Sequence, residues 1–139
     1  MDTSVFSEMN WLAVLVGAIA YFMLGAIWYS FLFQKQWIAY QGINVNDPKM
    51  KEGVATTMIS SFVLMFVASV GLGILAERME LTDWMSGAKL GLLTGICFSF
   101  TAISITYLYT KKAFGLHLID GLYHTVGQIL AGIIICVWQ

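Results

Sequence analysis

Four long apolar segments dominate this sequence, and they restrict the chain to a small set of folds. They occupy residues 11–33, 54–76, 86–109 and 117–138. A helix rises about 1.5 Å per residue, so segments of roughly 20 residues can cross the ~30 Å hydrocarbon core of a bilayer. Because lipid offers the backbone no hydrogen-bond partners, such segments cross membranes as helices. The sequence therefore predicts an all-α integral membrane protein with helices at about 11–33, 48–76, 83–109 and 117–138.

The composition agrees with this class and excludes a soluble domain. Apolar residues make up 59% of the chain and charged residues 11%, whereas soluble domains have about 45–50% and 25%. The formal net charge is −1, which gives no electrostatic basis for binding nucleic acid. The length of 139 residues suits one membrane domain, residues 1–139, and short links between helices predict an antiparallel four-transmembrane-helix bundle.

Capping residues predict where several of the helices begin and end. Asp47 and Pro48 have the residue types of an N-cap and a first helical residue, so we expect the second helix to start there. Thr82 is the expected N-cap of the third helix. Residues 34–41 are predicted to form a short interfacial helix that Gly42 ends.

Glycines at helical spacing mark faces on which helices can pack closely. Gly87, Gly91 and Gly95 recur at every fourth residue of the third helix, and small residues let two backbones approach. This face suits packing within a protomer as well as packing between protomers, and we expect a homo-oligomer. The predicted packing glycines are Gly17, Gly25, Gly87, Gly91, Gly95, Gly121 and Gly132.

Aromatic and basic residues predict how the chain is oriented. Trp28, Tyr29 and Trp37 gather near the end of the first helix and are expected to anchor it at the headgroup level. Most basic residues flank that same side: Lys35, Lys49, Lys51, Lys111 and Lys112, against Arg78 and Lys89 on the other. The positive-inside rule then predicts a multi-pass protein with both long connections in the cytoplasm and both termini outside. The expected partner is the lipid bilayer itself.

The last apolar segment carries the ionisable residues His117, Asp120 and His124, followed by Gln128, all on one helical face. Ionisable groups inside a membrane are costly and usually face protein or a water-filled cavity. His124 is expected about 10 Å inside the membrane boundary, level with groups on the first and third helices. The predicted polar cluster is Tyr21, Thr101, Ser104, Asp120, His124 and Gln128. The opposite face, expected to meet lipid, is Ile119, Leu122, Tyr123, Val126, Ile129, Leu130, Ile133 and Val137.

This polar face has a structural interpretation and a functional one. In the structural interpretation Asp120 is the N-cap of a helix that starts at Gly121, and His124 forms a hydrogen bond between helices. In the functional one Asp120 and His124 exchange protons in an oligomeric transporter or channel for protons or a small solute. We expect the structural or accessory role, and we keep transport as the alternative.

Metal, cofactor and enzymatic functions have little support in the sequence. His117, Asp120 and His124 share a face but supply only part of a ligand set, so we expect no metal and no cofactor. Cys97 and Cys136 stand alone in apolar segments and are expected to be free. No nucleophile, base and acid occur at a recognisable spacing, and we expect no enzymatic activity.

Several short motifs resemble a known bacterial family, the domain of unknown function 1761. They are NWLAV at residues 10–14, GAIWYS at 25–30, Trp37, Gly42, Asp120-Gly121, Tyr123-His124 and the segment 132–138. The resemblance implies a small protein with four transmembrane helices in the bacterial inner membrane, and it brings no assigned activity. Family members commonly have proline after WYS, whereas this chain has Phe31, so the first helix is expected to extend further here.

Overall fold

The computed structural model of the chain describes residues 3–138, and so Met1, Asp2 and Gln139 of the predicted domain lie outside it. Within 3–138 the chain forms helices and no β-strand, which confirms the all-α prediction. Four helices are long and apolar enough to cross a membrane. They are span 1 (Trp11–Leu32), span 2 (Val54–Arg78), span 3 (Trp84–Tyr109) and span 4 (Phe114–Val137). The chain is a multi-pass membrane protein.

Span 4 occupies the centre of the molecule. It packs against each of the other three spans, and more than half of its most apolar window is buried, 56%. Ile119 and Tyr123, which were predicted to face lipid, are buried instead. The prediction was wrong because a helix with neighbours on three sides has only a narrow lipid-facing strip. Leu122, Leu130 and Val137 form that exposed strip.

Span 4 also begins earlier than the sequence suggested. Its first residue is Phe114 and its N-cap is Ala113, shortly after Lys111 turns the chain with φ 53°. Asp120 therefore lies inside the helix, almost two turns from its start, and is not an N-cap. Its carboxylate is free to interact with other helices.

The glycine face of span 3 packs directly on span 4, within one protomer. A Cβ atom added at Gly87 would collide with the backbone of Gly132, and one at Gly91 with the carbonyl of Gln128. A Cβ at Gly95 would lie 2.6 Å from the Cα of Thr125. The helices can approach this closely only because these positions have no side chain. The other predicted packing glycines also lie at contacts between spans: Gly17 at Ala131, Gly25 at Tyr123 and Gly121 at Phe100.

Two helix starts differ from the predictions. The Asp47 side chain caps only a short 3₁₀-helix, Pro48–Lys51, and span 2 begins at Val54, because Gly53 breaks the helix direction with φ 72°. The N-cap of span 3 is Asp83 and not Thr82, since the Asp83 carboxylate accepts hydrogen bonds from the backbone N–H groups of Met85 and Ser86. These predictions were wrong by a few residues.

Other helix ends agree with the sequence. The interfacial helix Gln34–Gln41 ends at Gly42, which has φ 68°, as predicted. Asn10 caps span 1, and its side-chain amide donates to the carbonyl of Trp138 at 2.6 Å. The beginning of span 1 and the end of span 4 are thus held together.

Two spans contain π-helical turns. Span 1 closes with Trp28–Leu32, which contains Phe31, and span 3 contains Gly95–Phe100. Such turns change which side chains face a neighbouring helix and often occur at functional sites. Here they lie beside the two groups of polar side chains described next.

Candidate functional site: two polar groups around the central helix

The predicted polar cluster is divided between two places in the structure. Tyr21, His124 and Gln128 line one cavity, while Asp120 interacts with other residues. Thr101 is exposed, and its hydroxyl donates to the carbonyls of its own helix. The Ser104 hydroxyl oxygen is buried without a hydrogen-bond partner. The structure therefore does not bring Thr101 or Ser104 into contact with Asp120 or His124 through hydrogen bonds.

The first polar group is a clamp formed by Asp120 and two tyrosines. The Tyr29 hydroxyl of span 1 donates to Asp120 Oδ1 at 2.7 Å, and the Tyr107 hydroxyl of span 3 donates to Oδ2 at 2.5 Å. Asp120 is only 7% exposed. Both carboxyl oxygens are thus engaged, and one side chain of span 4 is fastened to two neighbouring helices.

Aromatic side chains surround this tyrosine–aspartate clamp. Tyr29 packs edge-on against Tyr123 and against Trp37, with ring centroids 5.1 and 5.5 Å apart. The Trp28 indole N–H donates to the carbonyl of Ile119 at 3.0 Å. The predicted interfacial anchors Trp28 and Tyr29 therefore also hold span 4 in place, because their polar atoms find partners on that helix.

The second polar group contains His124. Its Nδ1 atom lies 2.5 Å from the Tyr21 hydroxyl, and Tyr21 is 2% exposed. Within residues 3–138 the structure shows no other hydrogen bond of His124, and so its Nε2 atom is not engaged there. On the next turn, the Gln128 amide donates to the Ser99 hydroxyl of the π-helical turn in span 3.

These side chains line a cavity of about 380 Å³, here called the polar cleft. Spans 2 and 3 make few contacts with each other, and the polar cleft lies where they separate, with span 4 behind it. Its lining residues come from the middle of the spans, so the cleft lies near the mid-depth of the membrane. They are Tyr21, Ser61, Leu64, Met65, Ala68, Ser99, His124 and Gln128.

The sequence interpretation missed four of the residues that form these two groups. Tyr29 had been assigned to the membrane interface only, and Tyr107 had no assigned role. Ser61 and Ser99 were not part of the predicted polar cluster. The sequence did contain one indication of their role. Each of the four carries a hydroxyl group inside an apolar span, where a polar atom needs a hydrogen-bond partner or a cavity.

The described residues offer no cluster suited to a metal ion. Within 3–138 no three His, Cys, Asp or Glu side chains come close enough to form a site. Asp120 uses both oxygens in the clamp, and the His117 ring packs against Tyr107 at 5.4 Å. Cys97 and Cys136 are both free.

Comparison with known sequences identifies a family without identifying an activity. Residues 12–136 match the family model described as "Protein of unknown function (DUF1761)". No curated protein matches the chain, and no solved structure does either.

Proposed function

This chain belongs to the DUF1761 family of unknown function, and we propose that it acts as a non-enzymatic structural or accessory protein of the membrane. The observation that carries the proposal is the tyrosine–aspartate clamp. Both oxygens of Asp120 accept hydrogen bonds from Tyr29 and Tyr107. A carboxylate with two interhelical partners stabilises a helix arrangement, as polar groups in membrane proteins commonly do.

The close packing of spans 3 and 4 supports the same proposal. A relay of protons or solutes needs helices that separate or a path that water can enter, whereas the glycine face of span 3 leaves no space for even a methyl group at Gly87 and Gly91. The clamp and the glycine face act at different depths of span 4. Together they favour a rigid frame over a moving gate.

The proposal includes a location and an orientation. Lys35, Lys49, Lys51, Lys111 and Lys112 favour placing their loops in the bacterial cytoplasm and both termini outside. We would test the orientation with Asn46→Cys and Thr82→Cys, each in a protein that also carries Cys97→Ala and Cys136→Ala, using a membrane-impermeant maleimide on intact cells. Labelling of Thr82→Cys alone supports the proposal, and labelling of Asn46→Cys alone reverses the orientation.

Self-association is also part of the proposal. The face with Gly87, Gly91 and Gly95 lies inside the protomer, so an oligomer would form through other surfaces. Mass spectrometry of the protein released from lipid nanodiscs measures the state directly. Dimers or larger assemblies are expected, and monomers at every protein-to-lipid ratio would contradict self-association.

The structural role is tested by comparing Asp120→Asn with Asp47→Asn. Asp47 caps an exposed 3₁₀-helix, where asparagine caps as well as aspartate, so the second variant is a control of the same chemistry. Asp120→Asn is expected to lower thermal stability in detergent, and Asp47→Asn to leave it unchanged. Equal stability of the two variants would contradict a structural role for the clamp.

Transport of protons or a small solute is the second candidate, and the polar cleft is the observation that favours it. The unpaired Nε2 atom of His124 lies in that cleft, one helical turn from Asp120. Liposomes that contain the protein and a pH-sensitive dye distinguish the two functions. We expect no protein-dependent proton flux, and a flux that His124→Ala abolishes would favour transport over the structural role.

A further inference from the structure

We propose that the polar cleft is a binding site for an uncharged, membrane-soluble carbonyl compound, for which a quinone head group is the model ligand. The ligand would enter from the bilayer between spans 2 and 3 and accept a hydrogen bond from His124. This goes beyond the proposed structural role, which depends on the clamp at Asp120 and would hold with the cleft empty.

The cleft contains more polar groups than a packing gap between membrane helices needs. Five of its lining residues carry polar side chains: Tyr21, Ser61, Ser99, His124 and Gln128. In hydrocarbon an unsatisfied polar group costs several kcal/mol, so a gap that only meets lipid is expected to be lined by apolar side chains. Polar groups that converge on one cavity are instead typical of a ligand site.

Three polar atoms in the cleft take part in no hydrogen bond recorded within residues 3–138. They are His124 Nε2, the carbonyl oxygen of the Gln128 side chain and the Ser61 hydroxyl, whereas the Tyr21 and Ser99 hydroxyls are already paired. His124 and Gln128 belong to span 4 at the back of the cleft, and Ser61 belongs to span 2 at one side of it. A ligand between these spans can therefore be held by both of them.

The Tyr21–His124 pair determines what His124 offers a ligand. The buried Tyr21 hydroxyl lies 2.5 Å from His124 Nδ1 and also interacts with the Gln128 side chain. A neutral imidazole that accepts at Nδ1 carries its proton at Nε2. In the tautomer in which the Tyr21 hydroxyl donates to Nδ1, His124 presents an N–H donor to the cleft, and the matching ligand group is an acceptor such as a carbonyl oxygen.

Charge and shape restrict the ligand further. The lining contains no Lys, Arg, Asp or Glu, so a charged ligand would remain uncompensated at mid-membrane depth, and a neutral one is favoured. Leu64, Met65 and Ala68 provide an apolar wall on span 2. A volume of about 380 Å³ lies at the lower end of ligand pockets, roughly 300–1,000 Å³, and suits one substituted ring with its tail in lipid.

The first experiment is calorimetric titration of the full-length protein in detergent micelles with decylubiquinone. Ser61→Ala removes an unpaired hydroxyl, and Ala68→Leu fills the apolar wall, without touching the clamp or the Tyr21–His124 pair. We expect Ser61→Ala to weaken binding roughly five- to tenfold, the effect of about one hydrogen bond, and Ala68→Leu to abolish it. Thr101→Ala, which removes a lipid-facing hydroxyl of span 3, is the matched control and should bind like the unchanged protein.

Histidine NMR adds a readout that is specific to the site. The chain has 2 histidines, and His117 packs in a separate place against Tyr107. In protein labelled with ¹⁵N-histidine, decylubiquinone should shift the Nε2 signal of His124 and leave that of His117 unchanged. Equal shifts would indicate only partitioning of the quinone into micelles and would overturn the proposal.

Other outcomes would overturn it as well. The proposal would be wrong if the unchanged protein did not bind decylubiquinone. It would also be wrong if Ala68→Leu bound decylubiquinone as well as Thr101→Ala does. If a second copy of the chain fills the cleft instead, Leu64→Cys would crosslink between protomers in membranes, and decylubiquinone would not inhibit the crosslink. Failure of the proposed structural role would appear separately, as unaltered stability of Asp120→Asn.

Discussion

Replacing Gly91 by alanine tests the packing of spans 3 and 4 with a single methyl group. The added Cβ would lie 2.5 Å from the Cα of Ile129 and still closer to the carbonyl of Gln128, whereas ordinary contacts begin at 3.4 Å. The neighbours are backbone atoms, so no side chain can turn away. Relief requires the two helices to separate by about 0.9 Å, the difference between those two distances.

That separation has a calculable cost. The full van der Waals attraction of one atom pair is ~0.1–0.2 kcal/mol. A gap of about 0.5–1 Å removes roughly a quarter to a half of that attraction. The interface between spans 3 and 4 contains many such atom pairs, because Gly87 and Gly95 also lie directly against span 4. We expect Gly91→Ala to lower the free energy of unfolding by about 1–3 kcal/mol, as overpacked cores do.

Gly71→Ala is the matched control. Gly71 is an exposed residue of span 2, and a Cβ added there would meet nothing within 4 Å. The free energy of unfolding of this variant should stay the same or rise by up to about 1 kcal/mol, because alanine favours a helix over glycine. The assay is unfolding by sodium dodecyl sulfate in mixed micelles, followed by circular dichroism. Equal stabilities of Gly91→Ala and Gly71→Ala would refute direct backbone contact between spans 3 and 4.

Two further predictions concern the helix ends. Asn10→Ala should lower the free energy of unfolding by about 0.5–2 kcal/mol in the same assay, because it removes the cap of span 1 and the link to the Trp138 carbonyl. The second concerns pH: hydrogen bonds from the Ser86 hydroxyl and backbone hold the pKa of Asp83 below its usual value. Because the folded pKa is the lower one, the contribution of Asp83 is complete above the unfolded pKa of about 3.9 and is lost as pH falls through the folded pKa. The stability difference between the unchanged protein and Asp83→Ala should therefore be constant near neutral pH and shrink in acid, and a constant difference at all pH values would contradict this.

The spans could be predicted from sequence because they depend on local properties. Length and apolarity determine which segments cross a membrane, and the glycine spacing in span 3 indicates a closely packed face. The sequence could not tell whether that face packs within a protomer or between protomers. That choice depends on which helix stands opposite, and Gly132 of span 4 takes that position in the structure.

The polar groups were harder to predict because they depend on contacts between distant parts of the chain. The sequence places Asp120 on one helical face with His124 and Gln128, but its partners Tyr29 and Tyr107 lie on two other spans. The π-helical turns at Trp28–Leu32 and Gly95–Phe100 shift the facing of the residues within and after them. Thr101 was grouped with His124 by its expected depth in the membrane, and depth alone does not determine which way a side chain faces.

The most direct test of the clamp is a double-mutant cycle between Tyr107 and Asp120. Unfolding free energies are measured for Tyr107→Phe, Asp120→Asn and the double variant, with Tyr109→Phe in place of Tyr107→Phe as a control, since Tyr109 is 87% exposed. Hydrogen bonds between membrane helices average about 0.6 kcal/mol and reach about 1.7. We expect a coupling energy in that range for Tyr107 with Asp120 and none for Tyr109, whereas zero coupling for both would contradict the clamp that fastens the central helix.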